Sequence, residues 1–140
     1  MLQTTSQLLS KHQAIEEKMA DLSNSLAEKY PEQAQVFEKL AKDSLRHRDM
    51  ALRAYREGVT DAFEVGFLAN PLDPEDYVLQ EPIGDLSEDA GTMISNMEVV
   101  IQFCIDAANN SSTLLPDVPE TFMRLVKRKK RSIEKLKELA

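Results

Sequence analysis

The feature of this chain that most restricts its fold is an apolar repeat at alternating steps of three and four residues, the pattern of a packed α-helix. The first such repeat runs through Leu8, His12, Ile15, Met19, Leu22 and Leu26. Similar repeats follow, so the sequence predicts helices at residues 6–29, 32–57, 87–110 and 119–139. In a chain of 140 residues, four amphipathic helices predict an all-α four-helix bundle in a single domain.

The segment between the second and third predicted helices, residues 58–86, interrupts this repeat. Its helix breakers are Gly58, Gly66, Pro71, Pro74, Pro82 and Gly84. A connection of this length in a helical bundle usually crosses the length of the bundle and joins two parallel helices, which predicts an up-down-down-up order. Ser87 is the predicted N-cap of the third helix. The predicted inward face of that helix is Ile94, Met97, Ile101, Cys104, Ile105 and Ala108.

The composition and the N-terminal sequence indicate the cellular compartment in which the protein is expected. No stretch approaches the ~18 apolar residues of a membrane span, and the N-terminus lacks the basic start and apolar block of a signal peptide. We therefore expect a cytoplasmic protein with no membrane span. Cys104 is the one cysteine and has no motif beside it. We interpret it as a small buried apolar side chain rather than a nucleophile.

Charge is divided unevenly along the chain. Residues 1–119 carry a net charge of −12, whereas residues 120–140 carry +5. One interpretation is a basic helix lying on an acidic body, and the other is a patch for an anionic partner. The patch residues would be Arg124, Lys127, Arg128, Lys130 and Arg131. No aromatic residue interrupts this basic run, which argues against nucleic acid as the partner.

Two of the helical repeats share an apolar frame that carries polar residues at internal positions. The second helix contains "FEKLAKDSLRH" and the fourth contains "FMRLVKRKKRS". These stretches resemble the ferritin-like superfamily, and within it the rubrerythrin group, over nearly the whole chain. In that group the second and fourth helices read Phe-x-x-Leu-Ala-x-x-Glu-x-x-His, and the first and third helices each carry a liganding glutamate. The resemblance implies a ferritin-like bundle.

The same resemblance implies that the di-iron site of this family has degenerated. Glu16, Glu98 and His47 stand at three of the six ligand positions and are the vestigial metal candidates. The other three positions hold Ser44, Lys129 and Ser132. Because half of the expected ligands are absent, the resemblance implies that no cofactor is bound, with iron or another divalent metal as the alternative.

Carboxylates in the interior of a bundle need a counter-charge. We expect Lys129 to pair with Glu16, with Glu98 or with both, while neighbouring polar side chains complete the hydrogen bonding. The predicted buried polar cluster is Glu16, Ser44, His47, Glu98, Lys129 and Ser132. The sequence leaves open whether Glu16 or Glu17 faces the core, and it gives His12 the role of a packing residue.

Three classes of function remain open at this point. The first is a non-catalytic structural or interaction module that forms a homodimer or other homo-oligomer through apolar side chains such as Met93, Val100 or Val36. The second is a metal-binding oxidoreductase or iron-handling protein that uses the reduced set of one histidine and two glutamates. The third is binding of an anionic partner through the basic fourth helix.

Overall fold

Four long helices form most of this protein. The computed structural model describes residues 1–58, 66–111 and 116–140. The helices are α1 (Thr5–Lys29), α2 (Ala34–Gly58), α3 (Leu86–Asn110) and α4 (Asp117–Lys137). The all-α prediction is confirmed, and each predicted helix boundary lies within two residues of the observed one. Within the described ranges, no helix combines the length and apolar character that a membrane span requires.

A small two-stranded antiparallel sheet, which the sequence analysis does not predict, lies at the start of α1. Its strands are β1 (Leu2–Thr4) and β2 (Phe67–Leu72). The backbone N–H of Thr5 donates to the carbonyl of Gly66 at 2.7 Å. A side chain at Gly66 would collide with the Thr5 side chain, so glycine is required for this close approach. Gly66 of the predicted connection therefore lies beside the first turn of α1, while residues 59–65 of the connection lie outside the described ranges.

The end of the connection is fixed to the opposite end of α1 by a buried carboxylate. Asp89, at the start of α3, is fully buried. Its Oδ2 accepts hydrogen bonds from Lys29 Nζ at 2.8 Å and from the Tyr30 hydroxyl at 2.5 Å. Its Oδ1 accepts the backbone N–H of Gly84 at 2.8 Å. Burial on its own raises the pKa of Asp89, and these donors overcome that effect and lower it.

The N-cap of α3 is Asp85 and not the predicted Ser87. The Asp85 side chain accepts the backbone N–H of Glu88 at 2.9 Å, and the Glu88 side chain accepts the backbone N–H of Asp85 at 3.4 Å. This reciprocal pair is a capping box, in which a glutamate three residues after the cap satisfies a second free N–H group. Ser87 has no such partner three residues later, because position 90 is alanine.

The buried face of α3 is turned relative to the prediction. Met97, Ile101 and Cys104 are buried as expected, whereas Ile94, Ile105 and Ala108 are only half-buried. The residues buried in addition are Asp89, Ala90, Met93, Asn96, Val100, Phe103 and Ala107. Asn96 explains the rotation, because its side-chain amide exchanges two hydrogen bonds of 2.8 Å with the backbone of Gln80 in the connection. A repeat of apolar residues does not reveal a polar residue that faces inward because it bonds the backbone of another segment.

One hydrophobic cluster includes residues of all four helices and of β2. Its aromatic centre is Phe103 and Phe122, whose ring centroids are 6.3 Å apart, with Tyr77 of the connection at 5.0 Å from Phe103. Met93 and Val100 are fully buried in the cluster. These two residues therefore cannot form the dimer contact for which the sequence analysis proposed them.

Candidate functional site

A buried carboxylate, that of Glu16, lies in the middle of α1. Glu16 is fully buried, and both of its oxygens are hydrogen-bonded. Oε1 accepts from Lys129 Nζ of α4 at 2.8 Å, and Oε2 is 2.9 Å from His12 Nε2, one turn earlier in α1. A carboxylate in this environment would be costly without a cation beside it. The site is therefore a buried ion pair with a histidine as its third member.

Lys129 reaches this site because of its place on α4. The buried face of α4 reads Phe122, Leu125, Val126, Lys129, Ile133 and Leu136, so the lysine interrupts an otherwise apolar stripe. Only 2% of the residue is exposed. Lysine can lay its aliphatic stem along apolar neighbours while its ammonium group reaches a polar partner. Here that partner lies inside the bundle rather than in water.

The ring of His12 is held by aromatic side chains from the other hairpin. It stacks on Phe103 with a centroid distance of 5.9 Å and an interplanar angle of 11°, and it meets Phe122 edge-on at 5.1 Å. Next to an ionised carboxylate, Nε2 carries the proton and donates to Glu16. His12 is therefore a member of the polar cluster and more than the packing residue that the sequence predicts. The spacing of four residues between His12 and Glu16 is the signal that could have shown this.

The surroundings of Glu16 hold its carboxylate in the ionised form. Burial on its own raises the pKa of Glu16, but attraction to the Lys129 ammonium and the hydrogen bond from His12 outweigh it and bring that pKa to about 2. Glu16 is thus ionised at neutral pH and faces one ammonium group. The carboxylate and the ammonium group are charges of opposite sign, which is the condition under which an ion pair is tolerated in an apolar interior.

Glu98 does not belong to the cluster, contrary to the prediction. Its side chain is exposed, because the rotation of α3 places Asn96, Met97 and Val100 inward instead. The counter-charge of Lys129 is therefore directed to Glu16 alone. The uncertainty between Glu16 and Glu17 also disappears, since the half-exposed Glu17 accepts hydrogen bonds from Gln13 at 3.1 Å and Arg48 at 3.2 Å.

The remaining predicted members of the cluster lie at or beyond its edge. Ser44 and His47 are buried on α2, each with 4% of the residue exposed. Ser132 is half-buried, and its hydroxyl donates to the carbonyl of Arg128 in its own helix at 3.3 Å. Ser132 is thus no part of the buried cluster. Among the described residues, no hydrogen bond joins Ser44 or His47 to the ion pair.

The electrostatic surroundings of His47 favour its neutral form. Burial lowers the pKa of His47 to about 4, and repulsion from Lys129 acts in the same direction. Attraction to Glu16 and Asp43 opposes these effects without cancelling them. An imidazole with this pKa carries no charge at neutral pH. His47 can therefore act as a neutral hydrogen-bonding group there.

A stability prediction follows from the pKa of His47. The unfolded chain binds a proton on this residue near pH 6.5 and the folded protein near pH 4, so acid favours the unfolded state between those values. Wild type should therefore lose free energy of unfolding as the pH falls from 6.5 to 4. In His47→Gln we expect this loss to be smaller by roughly 1–2 kcal/mol. Urea unfolding at a series of pH values measures this difference. Equal pH dependence in both proteins would contradict it.

The geometry does not fit a metal centre built from the vestigial candidates. Glu98 points away from Glu16 and His47, and the Lys129 ammonium occupies one carboxylate oxygen of Glu16. In the described part of the chain, no group of three or more His, Cys, Asp and Glu side chains is placed to hold a metal ion. A cation at Glu16 would first have to displace another positive charge.

The residues of the predicted anionic-partner patch differ in their surroundings. Arg124 forms an ion pair of 2.6 Å with Glu120, one turn earlier in α4. Arg128 and Arg131 line a groove against α2, whereas Lys127 and Lys130 are exposed and do not line it. Arg46 of α2, which the sequence analysis did not include, faces this groove as well. The basic residues of α4 thus divide into a groove pair and an outer pair.

Comparison with protein-family models, with curated protein sequences and with solved structures finds no match to this chain.

Proposed function

We propose that this chain is a ferritin-like bundle, similar to rubrerythrins, in which an ion pair has replaced the metal centre, and that it acts as a structural or interaction module. The observation that carries the proposal is the contact of 2.8 Å between Lys129 Nζ and Glu16 Oε1 in the bundle interior. Lys129 stands where the family resemblance expects a liganding glutamate. At this position a fixed cation takes the role of the metal.

Contacts at the helix ends support the up-down-down-up order of this proposal. Asp89 at the start of α3 bonds Lys29 and Tyr30 at the end of α1. At the other end, Asn110 of α3 accepts hydrogen bonds from Asn70 of β2, the strand that pairs with β1 just before α1. These contacts favour α3 antiparallel to α1 and parallel to α2, the arrangement that a lengthwise crossover produces.

The chemistry of the site supports a non-catalytic role. A divalent cation needs deprotonated ligands with free lone pairs, and both oxygens of Glu16 already accept hydrogen bonds. Metal binding would require release of the ammonium group and exposure of buried groups. Lys129 and His12 supply in the bundle interior the stabilising interactions that a metal supplies in a ferritin-like site.

Metal analysis tests the proposal against its alternative, an iron-handling or oxidoreductase protein. We expect protein purified without chelators to hold no stoichiometric metal, both before and after anaerobic loading with Fe(II) and desalting. Glu16→Gln and the matched variant Glu17→Gln should then behave alike. A stoichiometric metal that Glu16→Gln abolishes and Glu17→Gln retains would overturn the proposal and establish the alternative.

A further inference from the structure

A basic groove runs between α2 and α4. It encloses a cavity of about 180 Å³. Three arginines line it, Arg46, Arg128 and Arg131, together with Lys135. These residues come from two helices that are far apart in sequence. Packing of α4 against α2 therefore creates a concentration of positive charge in a protein whose net charge is −7.

The positive charge of this groove is largely uncompensated within the protein. Arg46, Arg128, Arg131 and Lys135 have no carboxylate within 4.0 Å among the described residues. The one carboxylate in the lining, Asp43, is already paired with Lys39 at 2.9 Å. Arg48, Arg53 and Arg124, by contrast, each form an ion pair with an acidic residue. An anion is the ligand that such a groove favours.

The lining of the groove also includes a buried polar atom that has no hydrogen-bond partner among the described residues. His47 lines the cavity although only 4% of the residue is exposed. Its Nδ1 is buried and has no hydrogen-bond partner in the described part of the chain. A buried polar atom without a partner costs free energy that a bound ligand can recover. His47 is the feature that distinguishes this groove from a row of solvated surface charges.

An apolar cavity of about 230 Å³ adjoins the basic one along the same pair of helices. Val36, Leu40 and Leu136 line it, and Lys39 and Lys135 lie on the border between the two cavities. A single small molecule can therefore place a charged group at one end and an apolar group at the other. The volumes favour a small molecule or one headgroup over an extended polymer.

We propose that this groove binds a phosphate monoester that carries a small apolar substituent, with the phosphate against Arg46, Arg128 and Arg131 and the substituent against Val36, Leu40 and Leu136. A phosphate monoester carries a charge near −2 at neutral pH and three strong acceptor oxygens, which match a set of several cations. Arginine is the side chain best suited to phosphate, because its planar group donates two parallel hydrogen bonds. Among the described residues, no Phe, Tyr or Trp lines either cavity, and these are the side chains on which single-stranded nucleic acids usually stack.

Calorimetric titration with phenyl phosphate tests this site, and the chain offers a matched control for it. Arg128→Gln/Arg131→Gln removes two charges from the groove, and Lys127→Gln/Lys130→Gln removes two from the outer side of the same helix. We expect the groove variant to weaken binding about 10-fold or more, the effect of losing charged hydrogen bonds, while the outer variant stays within about twofold of wild type. Equal losses in both variants, or no binding to wild type, would overturn the proposal.

Two further probes examine the two ends of the groove. Val36→Ser should weaken binding of phenyl phosphate while binding of inorganic phosphate is unchanged, because only the ester reaches the apolar cavity. The ring signals of His47 in NMR spectra should shift on addition of phenyl phosphate and remain in place on addition of phenol. Tighter binding of phenol than of phenyl phosphate would contradict a phosphate site.

The source of the phosphate is distinguished by a lipid comparison. Co-sedimentation with phosphatidylcholine vesicles, with and without phosphatidic acid, reports binding to a lipid headgroup. Binding to phosphatidic acid vesicles that Arg128→Gln/Arg131→Gln abolishes would assign the site to a lipid phosphate. Binding to phenyl phosphate without vesicle binding would assign it to a soluble ester. Vesicle binding that survives in the groove variant, without binding of phenyl phosphate, would refute the site.

Discussion

Replacing Lys129 with methionine is expected to lower the free energy of unfolding by about 3 kcal/mol, because it leaves a buried carboxylate without its counter-charge. Methionine keeps most of the length and flexibility of the lysine stem, so the loss reports on charge more than on packing. Glu16 would keep only the hydrogen bond from His12. Chemical denaturation at neutral pH measures the difference from wild type.

The control for this prediction also removes the carboxylate of Glu16, which the loss of Lys129 leaves without a cation. Lys129→Met/Glu16→Gln should recover most of the stability, since a neutral amide in place of the carboxylate needs no cation and can still bond His12. Lys130→Met, on the exposed side of α4, should change stability by less than about 0.5 kcal/mol. If Lys129→Met were as stable as wild type, or if the double variant were the less stable of the two, the buried ion pair would not have the role described.

Replacing Asp89 with alanine is expected to lower the free energy of unfolding by about 2–3 kcal/mol. The substitution removes the acceptors for Lys29, Tyr30 and the backbone N–H of Gly84 in one step. It also removes the direct hydrogen bonds between the end of α1 and the start of α3. We expect the connection before α3 to become more susceptible to limited proteolysis, since Gly84 would keep only the hydrogen bonds that its carbonyl accepts from Lys29 and Tyr30.

Two substitutions make the Asp89 result interpretable. Asp21→Ala, at an exposed position of α1, should change stability by less than about 0.5 kcal/mol. Asp89→Asn keeps the shape of the side chain but loses its charge, and should fall between wild type and Asp89→Ala. Unchanged stability and unchanged proteolysis in Asp89→Ala would show that the contacts at this end do not hold the connection in place.

The helices could be predicted from the sequence because their apolar residues repeat along one face of each. The sheet of β1 and β2 could not, since each strand is short and their pairing depends on a close approach at Gly66. The N-cap of α3 was missed by two residues. There the capping box between Asp85 and Glu88 outweighs the signal of a serine followed by acids.

The candidate site was only partly predictable for a related reason. Lys129 interrupts an apolar repeat, which indicates an internal partner, whereas Glu16 is predicted only through the family resemblance. Glu98 was assigned to the core through the family resemblance, but Asn96 bonds the backbone of the connection and turns α3, so that Glu98 faces outward. Rotation of one helix by a tertiary contact cannot be derived from the sequence of that helix.

The basic groove also depends on helix packing that the sequence does not reveal. The sequence indicated that α4 is basic, and five of its residues were predicted to act together. Which of them combine depends on the facing helix, because Arg46 joins Arg128 and Arg131 only when α2 and α4 pack together. His47 was predicted from its place in the apolar repeat of α2, but its position in the lining of the groove depends on that packing.

The most direct test of the central claim is an NMR titration of the Glu16 side-chain carboxyl carbon, observed in wild type and in Lys129→Met. If Glu16 forms a buried ion pair with Lys129, its signal in wild type will keep the chemical shift of the ionised form well below pH 4.5, and its pKa will be about 2. In Lys129→Met the pKa will rise, since burial then acts without the ammonium group. A wild-type pKa at or above 4.5 would contradict the account, because Glu16 would then have no cation beside it.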